Sequence, residues 1–179
     1  STLFPYTTLF RSSGVTRERL QLPLHAAWTF QTLYAPQPAW PEPAKTDYWH
    51  RKPDLKARVT YDNAFHPIVA DGAVFFASSA DDRVYALDAA SGTIKWDFAA
   101  DAPVRLAPAW HDGKLYFASD DGKAYCLQAE TGQLLWKWQR AEPLRLIPGN
   151  ERIISNRPIR PGLVVEKDHL QLLTGLLPD

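Results

Sequence analysis

The chain has 179 residues, of which 45% are hydrophobic and 22% charged, enough apolar material for a packed core and too much for a wholly disordered polymer. Twenty basic and twenty acidic side chains cancel, which removes the electrostatic footprint of a nucleic-acid binder. No apolar run approaches the ~20 residues of a membrane-spanning helix.

Taken in chain order, Thr2 to Ser12 reads TLFPYTTLFRS, a string that resembles the in-frame translation of a common sequencing-library adapter. With no methionine in the sequence, residues 1–23 are set aside as an adapter-derived or disordered segment, and the chain is expected to be a fragment. Residues 24–34 carry Ala27-Trp28-Thr29-Phe30 and are expected to form the last strand of a preceding unit. Residues 35–62 hold Pro36, Pro38, Pro41, Pro43 and Pro53, a density that opposes regular sheet and favours a stiff inserted loop. Within it Ala44 to Lys52 is compatible with a turn or two of helix, and Tyr48-Trp49-His50-Arg51-Lys52 forms an aromatic and basic cluster.

Four strands are then expected in residues 63–101: Phe65 to Ala70, Val74 to Ser78, Arg83 to Asp88 and Thr93 to Ala99. Alternating β-branched and aromatic residues, punctuated by Asp71-Gly72, Asp81-Asp82 and Ser91-Gly92, are what successive hairpins require. Residues 102–140 repeat the pattern with strands at Leu106 to Trp110, Lys114 to Ser119, Lys123 to Leu127 and Gln133 to Gln139. Gly72 and Gly113 lie 41 positions apart, and Gly92 and Gly132 lie 40 apart. Residues 141–179 read as an inserted loop, Pro143 to Asn156, followed by a truncated copy offset by 55 positions, with strands near Leu163 to Val165 and His169 to Thr174. A period near 40 with four short strands per unit is the signature of a β-propeller blade, so the fold expected is all-β: a partial propeller of four-stranded antiparallel blades, about two complete and two partial.

The repeated residues have mechanical roles. Gly92 and Gly132 sit in turns where a positive φ carries no Cβ penalty. Trp96 and Trp136, four positions on, place large rings on the outer strand, and Ala86 and Cys126 are small enough to receive a neighbouring ring. Cys126, the lone cysteine, cannot form an intrachain disulfide and reads as a small buried hydrophobe. The segment from Ala86 to Trp96 resembles the tryptophan-docking motif A-x-D-x-x-[ST]-G-x-x-x-W of pyrroloquinoline-quinone-type propeller repeats, and Cys126 to Trp136 resembles it with departures at Cys126 and Gln128. That resemblance implies a family containing quinone- and calcium-dependent dehydrogenases as well as cofactor-free scaffolds, and an extracytoplasmic, periplasmic or extracellular location.

Little catalytic chemistry is legible. A lone cysteine rules out the adjacent-cysteine disulfide that the resemblance associates with many quinone dehydrogenases. Asp81-Asp82 and Asp120-Asp121 offer oxygen ligands but lack calcium-loop spacing and are good turn formers. His25, His50, His66, His111 and His169 share no metal-ligand spacing, and no serine lies in a nucleophile-elbow context. No catalytic or metal residue is therefore assigned. The recurrent triplets Val104-Arg105-Leu106, Leu144-Arg145-Leu146 and Ile159-Arg160-Pro161 make Arg105, Arg145 and Arg160 the candidate ligand-binding residues, poised for a small anionic ligand such as a carboxylate or phosphate. The expected function is a non-catalytic binding or scaffolding module whose partners are the remaining blades of its parent and a protein or small anion. The alternatives are a part of a quinone- and calcium-dependent alcohol or sugar dehydrogenase and a ligand- or polymer-sensing propeller fused to other domains.

Overall fold

A computed structural model describes residues 22–23, 25–39, 61–141, 143–149, 152–160, 162–166 and 169–175. The adapter-like segment, Pro41, Pro43, Pro53, the helical turn considered at Ala44 to Lys52 and the cluster Tyr48 to Lys52 lie outside these residues. Among the described residues the only helical element is a 3-10 turn at Tyr61–Asn63. The strands are β1 (Ile68–Ala70), β2 (Ala73–Ser78), β3 (Arg83–Asp88), β4 (Ile94–Ala99), β5 (Ala109–His111), β6 (Lys114–Ala118), β7 (Lys123–Gln128), β8 (Leu134–Gln139), β9 (Leu146–Gly149), β10 (Arg152–Ser155), β11 (Val164–Glu166) and β12 (His169–Gln171).

β1 to β4 form one antiparallel meander and β5 to β8 a second with the same order. The turn chemistry explains the registers. Asp71 and Gly72 adopt φ of 46° and 69°, and Asp112 and Gly113 adopt 47° and 69°, the two successive positive φ values of a type I′ hairpin that an Asp-Gly pair accommodates. At the turn into the outer strand, Gly92 and Gly132 both sit at 73°. There Gly92 N donates to Asp88 O at 2.8 Å and Gly132 N to Gln128 O at 2.9 Å. One extra residue, Lys95, slips the β3–β4 register between Ala86 and Leu87, and Leu135 does the same between Cys126 and Leu127, so both sheets carry a bulge at the same place.

The core lies between the two meanders. Phe75, Val84, Ala86, Leu115, Phe117, Tyr125 and Leu127 are buried in one cluster with Val104. Phe98 closes it by meeting the rings of Phe117 and Tyr125, each at 5.9 Å. The opposite face of the first meander is covered by residues 25–32, whose Phe30 packs on Phe76 at 5.7 Å and on Tyr85 at 6.2 Å. These residues, expected as a strand, have no ladder partner among the described residues.

Rings from one layer also reach the next. Trp28 Nε1 donates to Ala89 O and Trp96 Nε1 to Ala129 O, both at 3.0 Å, while the indoles lie over Gly92 and Gly132. The neighbour's ring therefore lies over the turn glycine, whereas Ala86 and Cys126, expected to receive it, stand opposite Trp96 and Trp136 within their own sheets. The reason is proximity: a Cβ at Gly92 would fall 2.5 Å from Trp28 and one at Gly132 2.6 Å from Trp96, so only glycine admits the ring. Trp136, in the equivalent position of the second meander, meets Tyr116 at 6.0 Å and remains 40% exposed.

The segment Pro143 to Asn156, expected as a loop, contains the β9–β10 hairpin, paired from Leu146↔Ser155 to Gly149↔Arg152. β11 and β12 pair with each other and begin 55 positions after β5 and β6, the offset of the expected third copy. The repeat extends to the crossovers: Asp120 N donates to Pro103 O at 2.9 Å, and Gly175 N to Pro158 O at 3.1 Å.

Candidate functional site

Antiparallel pairing brings the β2–β3 turn beside the exit from β4, since Ser78, Arg83 and Ala99 are in register across three strands. The β6–β7 turn likewise lies beside the exit from β8. The crossovers leave from this same end, and the polar groups buried there are the candidate site.

Pro103, Val104 and Arg105 are tucked under the β6–β7 turn, where Ser119 Oγ donates to Ala102 O at 2.8 Å. The Arg105 guanidinium, 96% buried as a side chain, donates Nε to Asp120 Oδ2 at 2.8 Å and Nη1 to Asp62 Oδ2 at 3.1 Å and Gln37 O at 2.7 Å. Asp62, fully buried on the 3-10 turn, also accepts from Ala39 N at 2.6 Å. Gln37 N in turn donates to Ser79 Oγ at 2.9 Å. Residues 37–39 and Asp62 thus make a strap from the first meander to the second, with Arg105 at its centre.

Arg160, the counterpart of Arg105 at the 55-position offset, reaches the same carboxylate: Nε lies 3.3 Å from Asp120 Oδ1. Arg105 and Arg160 therefore flank Asp120. The acid that Arg105 finds fifteen residues downstream in its own repeat is replaced, for Arg160, by Gly175. Accordingly Arg160 Nη1 is buried with no hydrogen-bond partner among the described residues, as is Asp62 Oδ1. Arg145 does not join them. Its side chain is exposed, and only its backbone is fixed, by Asn156 Oδ1 at 3.2 Å and Asn156 N at 2.8 Å.

The hairpin completes this layer. Arg152 donates to Asp82 Oδ2 at 3.2 Å and to the carbonyls of Ser79 and Ala80 at 3.0 and 2.7 Å, linking β10 to the first meander. Burial pushes the Asp82 carboxyl above its ordinary range, and the Arg152 guanidinium opposes that rise. The Asp-Asp pairs at the turns are used internally. Asp81 accepts from the Tyr85 hydroxyl and Asp121 from the Tyr125 hydroxyl. Burial raises the Asp121 carboxyl, against the bonds from Tyr125 and Lys123 N. Asp62 and Ser79 escaped sequence reasoning because they sit outside the repeated strands with no periodic position to mark them, and Arg152 because its hairpin was read as loop.

The carboxylates of this layer, among the described residues, do not suit the calcium ion that the sequence resemblance implies. Calcium takes about six to eight oxygen ligands, whereas Asp62, Asp81, Asp82, Asp120 and Asp121 each already face arginine, tyrosine or lysine. Among the described residues no three histidine, cysteine, aspartate or glutamate side chains converge.

Repeated four-stranded antiparallel meanders, packed face to face and joined by crossovers at one end, define a partial β-propeller. A family model described as outer membrane protein assembly factor BamB matches residues 40–171, and the chain belongs to this PQQ-like repeat family. No curated protein matches significantly. Among solved structures the chain is similar to a quinohemoprotein alcohol dehydrogenase from Pseudomonas putida, at 26% identity and a TM-score of 0.49 over 61% of this chain and 16% of that one. It is also similar to the quinohemoprotein alcohol dehydrogenase from Comamonas testosteroni, at 22% identity and a TM-score of 0.47 over 59% and 16%. BamB from Moraxella catarrhalis gives 14% identity and a TM-score of 0.41 over 62% and 42%. The chain thus spans less than half the length of each of these structures.

Proposed function

We propose that this chain is a non-catalytic binding and scaffolding segment of a larger propeller. The observation that carries this reading is the closure of the crossover end. Apart from Arg160 Nη1 and Asp62 Oδ1, its arginines and carboxylates engage one another, in Arg105 with Asp62 and Asp120, Arg160 with Asp120, and Arg152 with Asp82. A reaction centre needs polar groups left available to substrate, and this layer instead ties an inserted strap and a hairpin to two blades. Family membership, with a model described as an outer membrane protein assembly factor, supports a location outside the cytoplasm and a protein partner. Neighbouring blades are the first partners, seated on the outer face of the second meander.

The competing assignment, a segment of a quinone-dependent dehydrogenase, is separated by supplying pyrroloquinoline quinone and calcium to the full-length protein and following dye-linked alcohol oxidation. The expected rate is the background of dye and quinone alone. Quinone-dependent turnover would overturn the proposal.

A further inference from the structure

The indole of β4 has a defined receptor in the next layer. For Trp96 it is the β7–β8 turn, with Gly132 beneath the ring and Ala129 O for the N–H. Phe98, two residues on, meets Phe117 of β6 and Tyr125 of β7. β8 presents Trp136 and Trp138 at the same two places in its sheet. Trp136 meets the Tyr116 ring of its own sheet, and Trp136 and Trp138 remain 40% and 45% exposed. The layer facing them has only its inner half among the described residues. β11 packs beside β5 and pairs with β12. β12 begins 55 positions after β6, and the same offset puts Leu172 at the place of Phe117. β6 pairs along both edges, with β5 and β7, whereas among the described residues β12 pairs along one. The open edge and the two exposed indoles therefore belong to one vacancy, with the outline of a β7–β8 hairpin.

We propose that this vacancy is a docking site for a partner β-hairpin built like β7–β8. Its first strand adds antiparallel to the open edge of β12, and its turn brings a glycine beneath Trp136 and a carbonyl to the indole N–H. Strand addition supplies main-chain hydrogen bonds with little sequence preference, and the seats of the side chains supply the selection. The added strand needs a large apolar or aromatic residue where β7 has Tyr125, to close with Leu172 around Trp138. The turn needs glycine, because a Cβ at Gly132 would fall 2.6 Å from the Trp96 ring in the occupied equivalent. A single strand would pair with β12 without bringing that turn. A second copy of this chain is a poor occupant, since its own receiving glycines, Gly92 and Gly132, already lie under Trp28 and Trp96. The inference deepens the reading of the chain as a binding segment and rests on it.

The test is a calorimetric titration of the whole chain with a synthetic peptide of residues 122–140 carrying Cys126→Ala, which has the β7–β8 sequence and cannot oxidise. Saturable one-to-one binding is expected. Gly132→Val in the peptide and, separately, Trp136→Ala in the chain are each expected to weaken it about tenfold or more. Circular dichroism checks that the Trp136→Ala chain, altered at a half-exposed ring, keeps its fold. In the unmodified chain the peptide is expected to slow hydrogen exchange at the β12 amides. Absence of binding, equal binding of the Gly132→Val peptide, or binding indifferent to Trp136→Ala would overturn the proposal. A dimer of the chain alone that sedimentation detects and Trp136→Ala dissolves would overturn it too, because a second copy would then be the occupant. Dye-linked oxidation tests the broader reading and hairpin binding tests this site, so each can fail separately.

Discussion

Trp96 on the first meander donates its indole N–H to the carbonyl of Ala129, at 3.0 Å, while the ring lies flat over Gly132. The bond and the ring contact tie the outer strand of one blade to a turn of the next. Truncating a large aromatic in a core costs about 3–5 kcal/mol. Because Trp96 is only half-buried, Trp96→Ala is expected to cost about 2–3 kcal/mol, measured by urea unfolding followed by circular dichroism.

Gly132→Ala tests the same contact from the other side. At φ of 73° an added methyl is strained, and it would lie 2.6 Å from the Trp96 ring. The change is expected to destabilise by about 2 kcal/mol or more, of which about 1 kcal/mol is backbone strain. The two changes are expected to be non-additive: with Trp96 already alanine the clash is gone, so Gly132→Ala should cost only the backbone part. Full additivity in a double-mutant cycle would show that the ring and the glycine are not coupled.

Gly122 is the third glycine whose missing side chain matters. Its φ is 80°, and a Cβ there would meet Ser155 Oγ at 2.8 Å and the Arg157 carbonyl at 3.0 Å. The first repeat has Asp82 at this place, also at positive φ, and no segment crowds it so closely that a Cβ is excluded. Gly122→Ala is therefore expected to push the crossover segment 155–160 off the second blade. The check is faster hydrogen exchange at the amides of Ser155 and Ile159, which donate to Asp120 O and Ser119 O, with little change in β2 and β3.

These three glycines show what could be read beforehand. The hairpin at Asp71-Gly72, the limits of β3 and the repeat offsets followed from local chemistry, since positive φ and strand alternation leave a mark in consecutive residues. The β9–β10 hairpin did not, because Pro148 and Gly149 fall inside β9 and proline lacks the N–H that a ladder needs. The placement of the rings over glycine rather than over Ala86 and Cys126 depended on the third dimension, where Lys95 and Leu135 bulge each sheet. Arg105 and Arg160 were legible as a recurrence, whereas their acids were not. Asp120 looked like a turn former, and Asp62 lies 43 residues from Arg105 through irregular chain.

The repeats also differ in a way that can be exploited. Asp88 accepts from Ser91 N at 2.8 Å, Ser91 Oγ at 2.9 Å and Ala90 N at 3.1 Å, and these bonds, the Ser91 amide foremost, hold its carboxyl below the usual range. The second repeat has the exposed Gln128 there. Gln128→Asp should recreate the turn and raise the melting temperature by a few degrees near neutral pH. A lowered carboxyl favours the fold above the unfolded value of about 4. The gain should therefore vanish as the pH falls through the folded value, and a gain independent of pH would show that the carboxylate is not its source.

Tyr85 supplies the alkaline counterpart. Burial, together with its bond to Asp81, pushes its hydroxyl up to about 12 from an ordinary 10. An acid raised in the fold keeps its proton where the unfolded chain has lost it, so its contribution is complete below about pH 10 and declines as the pH climbs toward 12. Tyr85→Phe removes both the titration and the hydroxyl's bond. The variant is expected to be less stable at neutral pH by about 1 kcal/mol, since Asp81 loses a donor, and to lose less further stability between pH 10 and 12 than the unmodified chain. Urea midpoints at a series of pH values test both statements; because burial also raises the Tyr116 and Tyr125 hydroxyls, the difference in phenolate absorbance between the folded unmodified chain and Tyr85→Phe reports whether Tyr85 titrates late. Parallel midpoint curves for the two proteins would mean that Tyr85 ionises as freely in the fold as in the unfolded chain.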